Sequence, residues 1–297
     1  MTYSIVARDP KTGELGVAVQ SHYFSVGSVV TWARSGVGAI ATQSIAEISY
    51  GPLGLDLMAG GRSAAEALES LLRSDPKAET RQVGMVDSNG VIAAHTGSRC
   101  IASAGHVIGE QFSCQANLMS NDSIWGEMEK AFRGNSELEL PERLAATLDA
   151  AENAGGDARG KQSAAILVVS AKLYPNSWSG RIMDLRVEDN PEPLPELKRL
   201  IRVRRAYDWA DKGDDLLALG KIEEALQAFE KAKQLAPENE EIRFWVGITL
   251  IGSNANQAEG REILKEIFAK NPNWAKVTKS LIEKGYLPKN TAVSQLF

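Results

Sequence analysis

The first third of the chain consists mainly of short apolar runs separated by turn residues. Two such runs, Tyr3–Ala7 and Leu15–Val19, flank the turn sequence Asp9–Gly13, which contains a proline and a glycine. β-Branched and aromatic residues on both sides of such a turn predict a β-hairpin. The first strand is therefore expected to start at the beginning of the sequence, with Thr2 at its end.

Further runs of the same kind predict more strands, and Asn89-Gly90 between two of them is a tight-turn signal. These runs are Val26–Arg34, Val37–Thr42, Gln82–Asp87, Val91–Thr96, Ile101–His106, Phe112–Asn117, Ser163–Ser170 and Met183–Val187.

Other segments carry apolar residues at the spacing of a helix face. These segments are Leu53–Ala59, Ser63–Arg73, Ile124–Phe132 and Leu140–Ala154. Ser63 and Glu66 form a capping-box sequence, and Pro141 stands at a helix start. Because hairpins and helices come in groups and do not alternate singly, the order predicts an α+β fold with antiparallel sheets.

The composition changes after a proline-spaced segment, Asp189–Glu196, which predicts a stiff linker. The rest is rich in Ala, Leu, Lys and Glu and repeats at about 34 residues, the period of a tetratricopeptide (TPR) repeat. Gly213 recurs as Gly247, Ala225 as Ala258, and Pro237 as Pro272. The segment Leu219–Ala232 resembles a TPR helix pair, with Phe229 filling the space between helices. The expected organisation is a first domain over residues 1–190, a linker over 191–205 and a TPR-like helical domain over 206–297.

Composition and charge narrow the classes of partner and compartment. The 297 residues are 43% hydrophobic and 24% charged, with a net charge of −5, which argues against nucleic acid or an anionic membrane as partner. No apolar stretch is long enough to span a bilayer, and no signal peptide is evident. A cytoplasmic protein is expected.

Cysteine and histidine are too few and too scattered for a zinc site. Cys100 and Cys114 are the two cysteines, and His22, His95 and His106 the three histidines. Free thiols are expected, with a disulfide as the alternative, and no metal or cofactor is predicted. Nucleophilic catalysis by Cys100 stays open, because His95 and His106 lie near it in the sequence.

Thr2 carries the most specific chemical hypothesis. Removal of Met1 would give Thr2 a free α-amine of pKa near ~8 beside its own hydroxyl, and such an amine can take the hydroxyl proton. The alternative is that Thr2 is simply the first residue of a strand.

Several blocks in about the first 200 residues form a recognisable set. They are Met1–Asp9, Gly13–Ser21, Gly36–Gln43, Ser49–Pro52, Arg81–Gly84, Gly155–Asp157 and Arg159–Ala164. Together these blocks resemble a widespread bacterial family of unknown function that is assigned to the N-terminal nucleophile (Ntn) hydrolase superfamily. The resemblance implies a four-layer αββα sandwich.

This resemblance also implies an arrangement of site residues around Thr2. In related Ntn enzymes a lysine on the second strand lowers the pKa of the amine, and the aligned position here is His22, a departure from the pattern. The polar cluster Gly155–Ser163 precedes an apolar strand and would bring further groups to the strand entrance; the alternative is a helix cap with a surface ion pair. The predicted catalytic residues are Thr2, His22, Asp157 and Ser163, and the predicted substrate-binding residues are Gln43, Gln115, Asn117, Arg159 and Gln162.

Two functions follow as hypotheses, and simple self-assembly through exposed sheet and helix faces is a third. The first is an amidohydrolase in which Thr2 attacks a small amide or peptide-like substrate. The second is a non-catalytic protein of the same fold, whose cleft binds a ligand and whose TPR-like tail mediates a protein interaction or oligomerisation. A homo-oligomer is expected in either case. The three amides Gln43, Gln115 and Asn117 are either buried and satisfied or ligand donors.

Overall fold

The computed structural model describes residues 2–176 and 178–285. Met1, whose removal the catalytic hypothesis requires, and residues 286–297 of the predicted helical domain lie outside the described residues. The chain divides into two compact units, Met1–Ile201 and Arg202–Phe297.

The first unit contains two antiparallel sheets. The larger is six-stranded in the order β10-β9-β2-β1-β8-β7, so that β1 pairs with both β2 and β8. Its strands are β1 (Thr2–Arg8), β2 (Leu15–Ser21), β7 (Gly105–Gly109), β8 (Phe112–Asn117), β9 (Ser163–Val169) and β10 (Arg181–Val187).

The smaller sheet is four-stranded and follows the chain order β3-β4-β5-β6. Its strands are β3 (Thr31–Arg34), β4 (Gly38–Ser44), β5 (Arg81–Asp87) and β6 (Ile92–Thr96). The two sheets pack face to face, with β1, β2 and β8 against β4 and β5.

The interior between the sheets is apolar at one end and polar at the other. Alternate residues of a strand point to opposite faces, so Thr2, Ser4 and Val6 of β1 face the smaller sheet. The apolar end contains Val6, Val17, Val19, Ala39, Ala41, Val86 and Leu167. The polar end lies where β1 begins, and the buried hydroxyl and amide side chains gather there.

Helices cover the outer faces of both sheets. The helices α1 (Tyr50–Ala59) and α2 (Ala64–Ser74) pack on the smaller sheet, and α3 (Ile124–Gly134) and α4 (Leu140–Asn153) on the larger one. The predicted capping box at the start of α2 is confirmed, since Ser63 and Glu66 bond to each other's backbone N–H. The α+β class with antiparallel sheets is likewise confirmed.

Two predicted strands are shorter than expected. In the predicted strand Val26–Arg34, residues Val26–Ser28 form a 3₁₀ turn, with Gly27 packed so closely on β9 that a Cβ would lie 2.5 Å from Cβ of Ala165. In the predicted strand Ile101–His106, the ladder begins only at Gly105. The carbonyls of Ile101 and Ser103 instead accept bonds from the backbone N–H groups of residues 118 and 119, just beyond β8.

The predicted linker is helical over most of its length. Helix α5 (Pro193–Ala218) begins within residues 191–205 and contains the boundary between the two units. Pro193 and Pro195 fit its first turn because N–H groups there have no partner within the helix. The proline spacing therefore marks a helix start.

The second unit is helical. It contains α6 (Ile222–Leu235), α7 (Glu240–Gly252), α8 (Gln257–Lys270) and α9 (Asn273–Glu283). Ala225 and Phe229 are buried in its core, and Trp209 and Leu216 are half-buried against it. Among the described helices, none is long and apolar enough to cross a membrane.

Candidate functional site

Thr2 is the first residue of β1 and lies between two neighbouring strands. It is in register with Ser21 at the end of β2 and with Asn117 at the end of β8. Its side chain faces the smaller sheet and the residue is only 3% exposed. The Thr2 hydroxyl donates a hydrogen bond to the hydroxyl of Ser21 over 3.1 Å.

A cavity of about 240 Å³ opens at this end of the interior. Thr2 and Gln43 supply polar groups to its wall, and most of the remainder is apolar. Its described lining residues are Thr2, Tyr23, Val26, Val29, Val30, Gln43, Ser44, Ala46 and Ile48.

The carbonyl of Thr2 is held by two amide side chains. Nε2 of Gln43 donates to it over 3.2 Å, and Nδ2 of Asn117 over 3.5 Å. Both of these nitrogens also donate to Oε1 of Gln82, each over 2.7 Å. Gln82 in turn donates from Nε2 to the carbonyls of Ala116 and Gly105, over 2.8 and 3.1 Å. Gln82 is thus the residue that joins the two sheets behind Thr2.

A second branch of the same network runs through Ser4. Its hydroxyl donates to Oε1 of Gln43 over 2.6 Å and accepts from Nε2 of Gln115 over 2.7 Å. Gln115 fits because Gly84 of the facing sheet has no side chain; a Cβ there would lie 2.4 Å from Oε1 of Gln115. The amides and hydroxyls are buried, and each makes at least one hydrogen bond in this network, which fixes the position of Thr2. Among the described residues, Oδ1 of Asn117 is buried without a hydrogen-bond partner.

The network ends at a histidine outside the cavity lining. Nε2 of Gln82 also donates to the hydroxyl of Thr96 over 2.9 Å, and this hydroxyl lies 2.8 Å from Nδ1 of His106. Burial, together with the nearby His95, lowers the pKa of His106 below its usual value. His106 is therefore neutral near pH 7.

Asp157 and Ser163 hold the loop that follows β2. The Ser163 hydroxyl donates to the carbonyl of Tyr23 over 2.5 Å and accepts from the N–H of Val26 over 3.1 Å. The carboxylate of Asp157 accepts from the N–H of His22 over 3.1 Å. Tyr23 and Val26 line the cavity, so both residues shape its wall without lining it.

The remaining predicted residues lie further from Thr2. The His22 side chain is exposed, with Nδ1 3.3 Å from the Lys161 carbonyl. Arg159 bonds to Asp157, with Nη2 2.8 Å from Oδ2. Nε2 of Gln162 donates to Asp189 over 3.2 Å. The residue of β2 that contacts the Thr2 hydroxyl is Ser21.

Other chemistry considered from the sequence has little support at this site. Both cysteines are free thiols, as expected, and full burial raises the pKa of Cys114 well above its usual value. A buried thiol of high pKa is a poor nucleophile. Among the described residues there is no cluster of three or more acidic, histidine or cysteine side chains that could hold a metal.

Several residues of the site are not evident from sequence alone. Gln82 is one amide in an apolar strand, and its pairing opposite Gln43 depends on the register of β4 with β5. Val29, Ala46 and Ile48 line the cavity from two loops. The signal in the sequence that could have pointed to these residues is the group of Gln, Asn and Ser side chains at strand ends.

This chain is similar to a protein family and to solved structures. A family model described as "Family of unknown function (DUF1028)" matches residues 2–197. A crystal structure of a DUF1028 protein from Silicibacter pomeroyi is 31% identical, with a TM-score of 0.61, over 68% of this chain and 84% of that one. Anbu (ancestral beta-subunit) from Yersinia bercovieri is 10% identical with a TM-score of 0.32, over 67% of this chain and 92% of that one. No curated protein matches. This chain belongs to the DUF1028 family.

Proposed function

We propose that this protein is an amidohydrolase whose nucleophile is the hydroxyl of Thr2 after removal of Met1. One observation carries the proposal: the Thr2 hydroxyl is bonded to Ser21 at 3.1 Å, in a residue that lines a cavity. A strand-end threonine with a purely structural role needs neither the cavity nor the buried amides that hold its carbonyl.

The layer order supports assignment to the Ntn-hydrolase superfamily. Helices α1 and α2 lie outside the smaller sheet, α3 and α4 lie outside the larger sheet, and the two sheets face each other. This order supports the αββα sandwich that the sequence resemblance implies. The superfamily assignment is part of the proposal.

The reaction would proceed in two steps. The Thr2 oxygen attacks the substrate carbonyl, the hydroxyl proton passes to the α-amine and then to the departing amine, and the C–N bond breaks as the ester bond forms. Water then attacks the ester carbonyl, again with the α-amine as base; the acid leaves and the hydroxyl is restored. In the net reaction, one amide and one water give one carboxylic acid and one amine.

Each neighbouring residue has a defined task in this scheme. Ser21 orients the Thr2 hydroxyl, because it accepts that hydroxyl's hydrogen bond. Gln43 and Asn117 fix the Thr2 backbone, and Asp157 and Ser163 hold the loop that forms one wall of the cavity. His22 has no catalytic task here, since its side chain is exposed.

A peptide epoxyketone tests the proposal. This probe closes a six-membered ring only when one residue offers both a hydroxyl and a free amine, so an adduct joined through both atoms identifies an N-terminal nucleophile. Intact mass should show loss of Met1, and peptide mapping should locate the adduct on Thr2. Thr2→Ser should still react, and Thr2→Ala should not. Retention of Met1 and absence of adduct would leave the ligand-binding alternative.

We further propose that the second unit is a pair of TPR-like repeats. Phe229 packs on Gly213, where a Cβ would meet its ring at 2.3 Å. The same arrangement recurs 34 positions later, where Ile263 and Leu264 pack on Gly247. Small residues at this repeat position let paired helices approach closely. This supports a tail that mediates protein interaction, the role given to it in the second hypothesis.

A further inference from the structure

The wall of the cavity beside Thr2 differs in character from the network behind it. Five of the nine described lining residues have hydrocarbon side chains: Val26, Val29, Val30, Ala46 and Ile48. The other four, Thr2, Tyr23, Gln43 and Ser44, have uncharged polar side chains, and no charged side chain is among the described residues that line the cavity. A charged group placed here would lose its hydration without gaining a partner of opposite charge.

The acidic residue nearest in sequence to the cavity lining is Glu47, and its carboxylate already has hydrogen-bond and ion-pair partners. Glu47 lies between Ala46 and Ile48, but Oε1 accepts from the Ser49 hydroxyl over 2.8 Å and Oε2 lies 3.7 Å from Nη2 of Arg81. Its carboxylate is therefore occupied by Ser49 and Arg81.

Two residues that line the cavity also have large exposed side chains. Tyr23 is 56% exposed and Ile48 is 45% exposed. Phe24, next to Tyr23 in the sequence, and Ile45, three residues before Ile48, are exposed as well. Exposed apolar groups at a cavity favour binding of an apolar group, because burying them is favourable.

Hydrogen bonds from the smaller sheet to backbone carbonyls hold the cavity walls in place. The N–H of Thr42 donates to the carbonyl of Val30 over 3.2 Å, and Nη1 of Arg81 donates to the carbonyl of Ile45 over 2.6 Å. Trp32 donates from Nε1 to the carbonyl of Val29 over 3.0 Å. These bonds attach the segment with Val29 and Val30 and the segment that begins at Ile45 to the smaller sheet. The cavity is therefore formed before a ligand binds.

From this lining we infer that the cavity takes a small, uncharged aliphatic acyl group, so that the substrate is an amide of a short apolar acid. The inference rests on the proposed function, because it places the scissile carbonyl at Thr2. A volume of about 240 Å³ is below the ~300–1,000 Å³ of pockets for drug-sized ligands. It suits a group the size of one apolar side chain.

A panel of anilides with one leaving group tests the acyl preference. The acyl groups are 4-methylpentanoyl, succinyl and 5-aminopentanoyl, which are similar in length and differ in charge. The neutral group should be preferred in kcat/KM by roughly 100-fold over both charged ones, by analogy with discrimination in hydrophobic enzyme pockets. Equal rates for the three would overturn the inference and leave the nucleophile proposal intact.

A pair of arginine variants ties the preference to the cavity. Ile48→Arg introduces a cation at an exposed lining position and should raise succinyl turnover relative to 4-methylpentanoyl by at least tenfold. Leu53→Arg is the matched control, since Leu53 is 49% exposed on α1 and is not a lining residue. The same shift in both variants would contradict the assignment.

Binding of 4-methylpentanamide, measured by calorimetry, separates the two proposals. If no anilide is hydrolysed but this amide binds and succinamate does not, the acyl site stands and the nucleophile fails. If neither binds and Ile48→Arg converts an oligomer to a monomer in sedimentation, the exposed apolar residues at the cavity form a contact between copies of this chain. That result would overturn the inference.

Discussion

Gln43 and Gln82 lie opposite each other on β4 and β5, and Nε2 of Gln43 donates to Oε1 of Gln82 over 2.7 Å. Through this bond the smaller sheet positions a residue of the larger one, because the same Nε2 also donates to the Thr2 carbonyl. The fold thus holds its candidate nucleophile from both sheets.

Replacing Gln82 by Leu should destabilise the first unit. The substitution removes the acceptor shared by Gln43 and Asn117 and the donor to two carbonyls, and each buried group left unpaired costs about 1–3 kcal/mol. We expect a loss of about 2–4 kcal/mol in urea unfolding. Gln162→Leu is the control, since the Gln162 amide donates to Asp189 near the surface. Equal losses would contradict a special role for Gln82.

Asp157→Asn should weaken the loop after β2. The carboxylate is fully buried and bonds to the N–H of His22 and to the Arg159 side chain. Because hydrogen bonds to charged groups contribute about 1.5–3 kcal/mol, we expect a loss of that order in the free energy of unfolding. Asp184→Asn, which breaks partly exposed pairs with Arg181 and Arg186, should cost less than about 1 kcal/mol. A loss of unfolding free energy in Asp184→Asn as large as that in Asp157→Asn would contradict the prediction.

Acid should destabilise the protein through Asp75. The hydrogen bond from Arg81 and, after it, the N–H of Lys77 and the hydroxyl of Tyr50 lower the pKa of Asp75 to about 2. The folded pKa is below the unfolded value of ~3.9, so this stabilisation is complete above about pH 4 and is lost as the pH falls towards 2. It amounts to about 2 kcal/mol.

Unfolding curves at several pH values check this assignment. In Asp75→Asn the free energy of unfolding should decline less steeply between pH 4 and pH 2 than in the wild type. Glu69→Gln, which removes an exposed pair with Arg73, should leave this decline unchanged. An unchanged decline in Asp75→Asn would show that other carboxylates dominate.

Gly213→Ala should destabilise the helical unit, because the added methyl would lie 2.3 Å from the Phe229 ring. Overpacking of this kind costs about 1–3 kcal/mol, and Phe229→Leu in the same chain should relieve part of it. Phe229→Ala alone should cost about 3–5 kcal/mol. Gly252→Ala, where nothing lies within 4 Å of the new methyl, should be neutral or stabilising. Urea unfolding followed by helical circular dichroism distinguishes these variants.

The features that local sequence determines could be predicted. The Asp9–Gly13 hairpin and the Ser63–Glu66 capping box depend on neighbours a few positions apart. The pairing of β1 with β8, by contrast, joins residues more than 100 positions apart. No local pattern specifies that pairing, yet it brings Asn117 to Thr2.

Sequence patterns also could not decide which of two adjacent residues belongs to the site. Ser21 and His22 are adjacent, but the alternation of side chains along β2 turns Ser21 towards Thr2, whereas His22 follows the strand end. A shift of one residue in a strand changes the face of the sheet. Gln162 and Ser163 differ in the same way: Ser163 is buried behind the cavity wall, and Gln162 bonds at the surface to Asp189.

The amide network also gives the site a spectroscopic signature. Each amide in it has a defined orientation, because Nε2 of Gln43 donates to Oε1 of Gln82. Exchanging the nitrogen and oxygen of the Gln43 amide would place two acceptor oxygens next to each other. Such side-chain NH₂ groups rotate slowly and exchange slowly with solvent, and should give dispersed, protected resonance pairs in ¹⁵N spectra. The state of the site can therefore be followed in solution without substrate, turnover or a crystal.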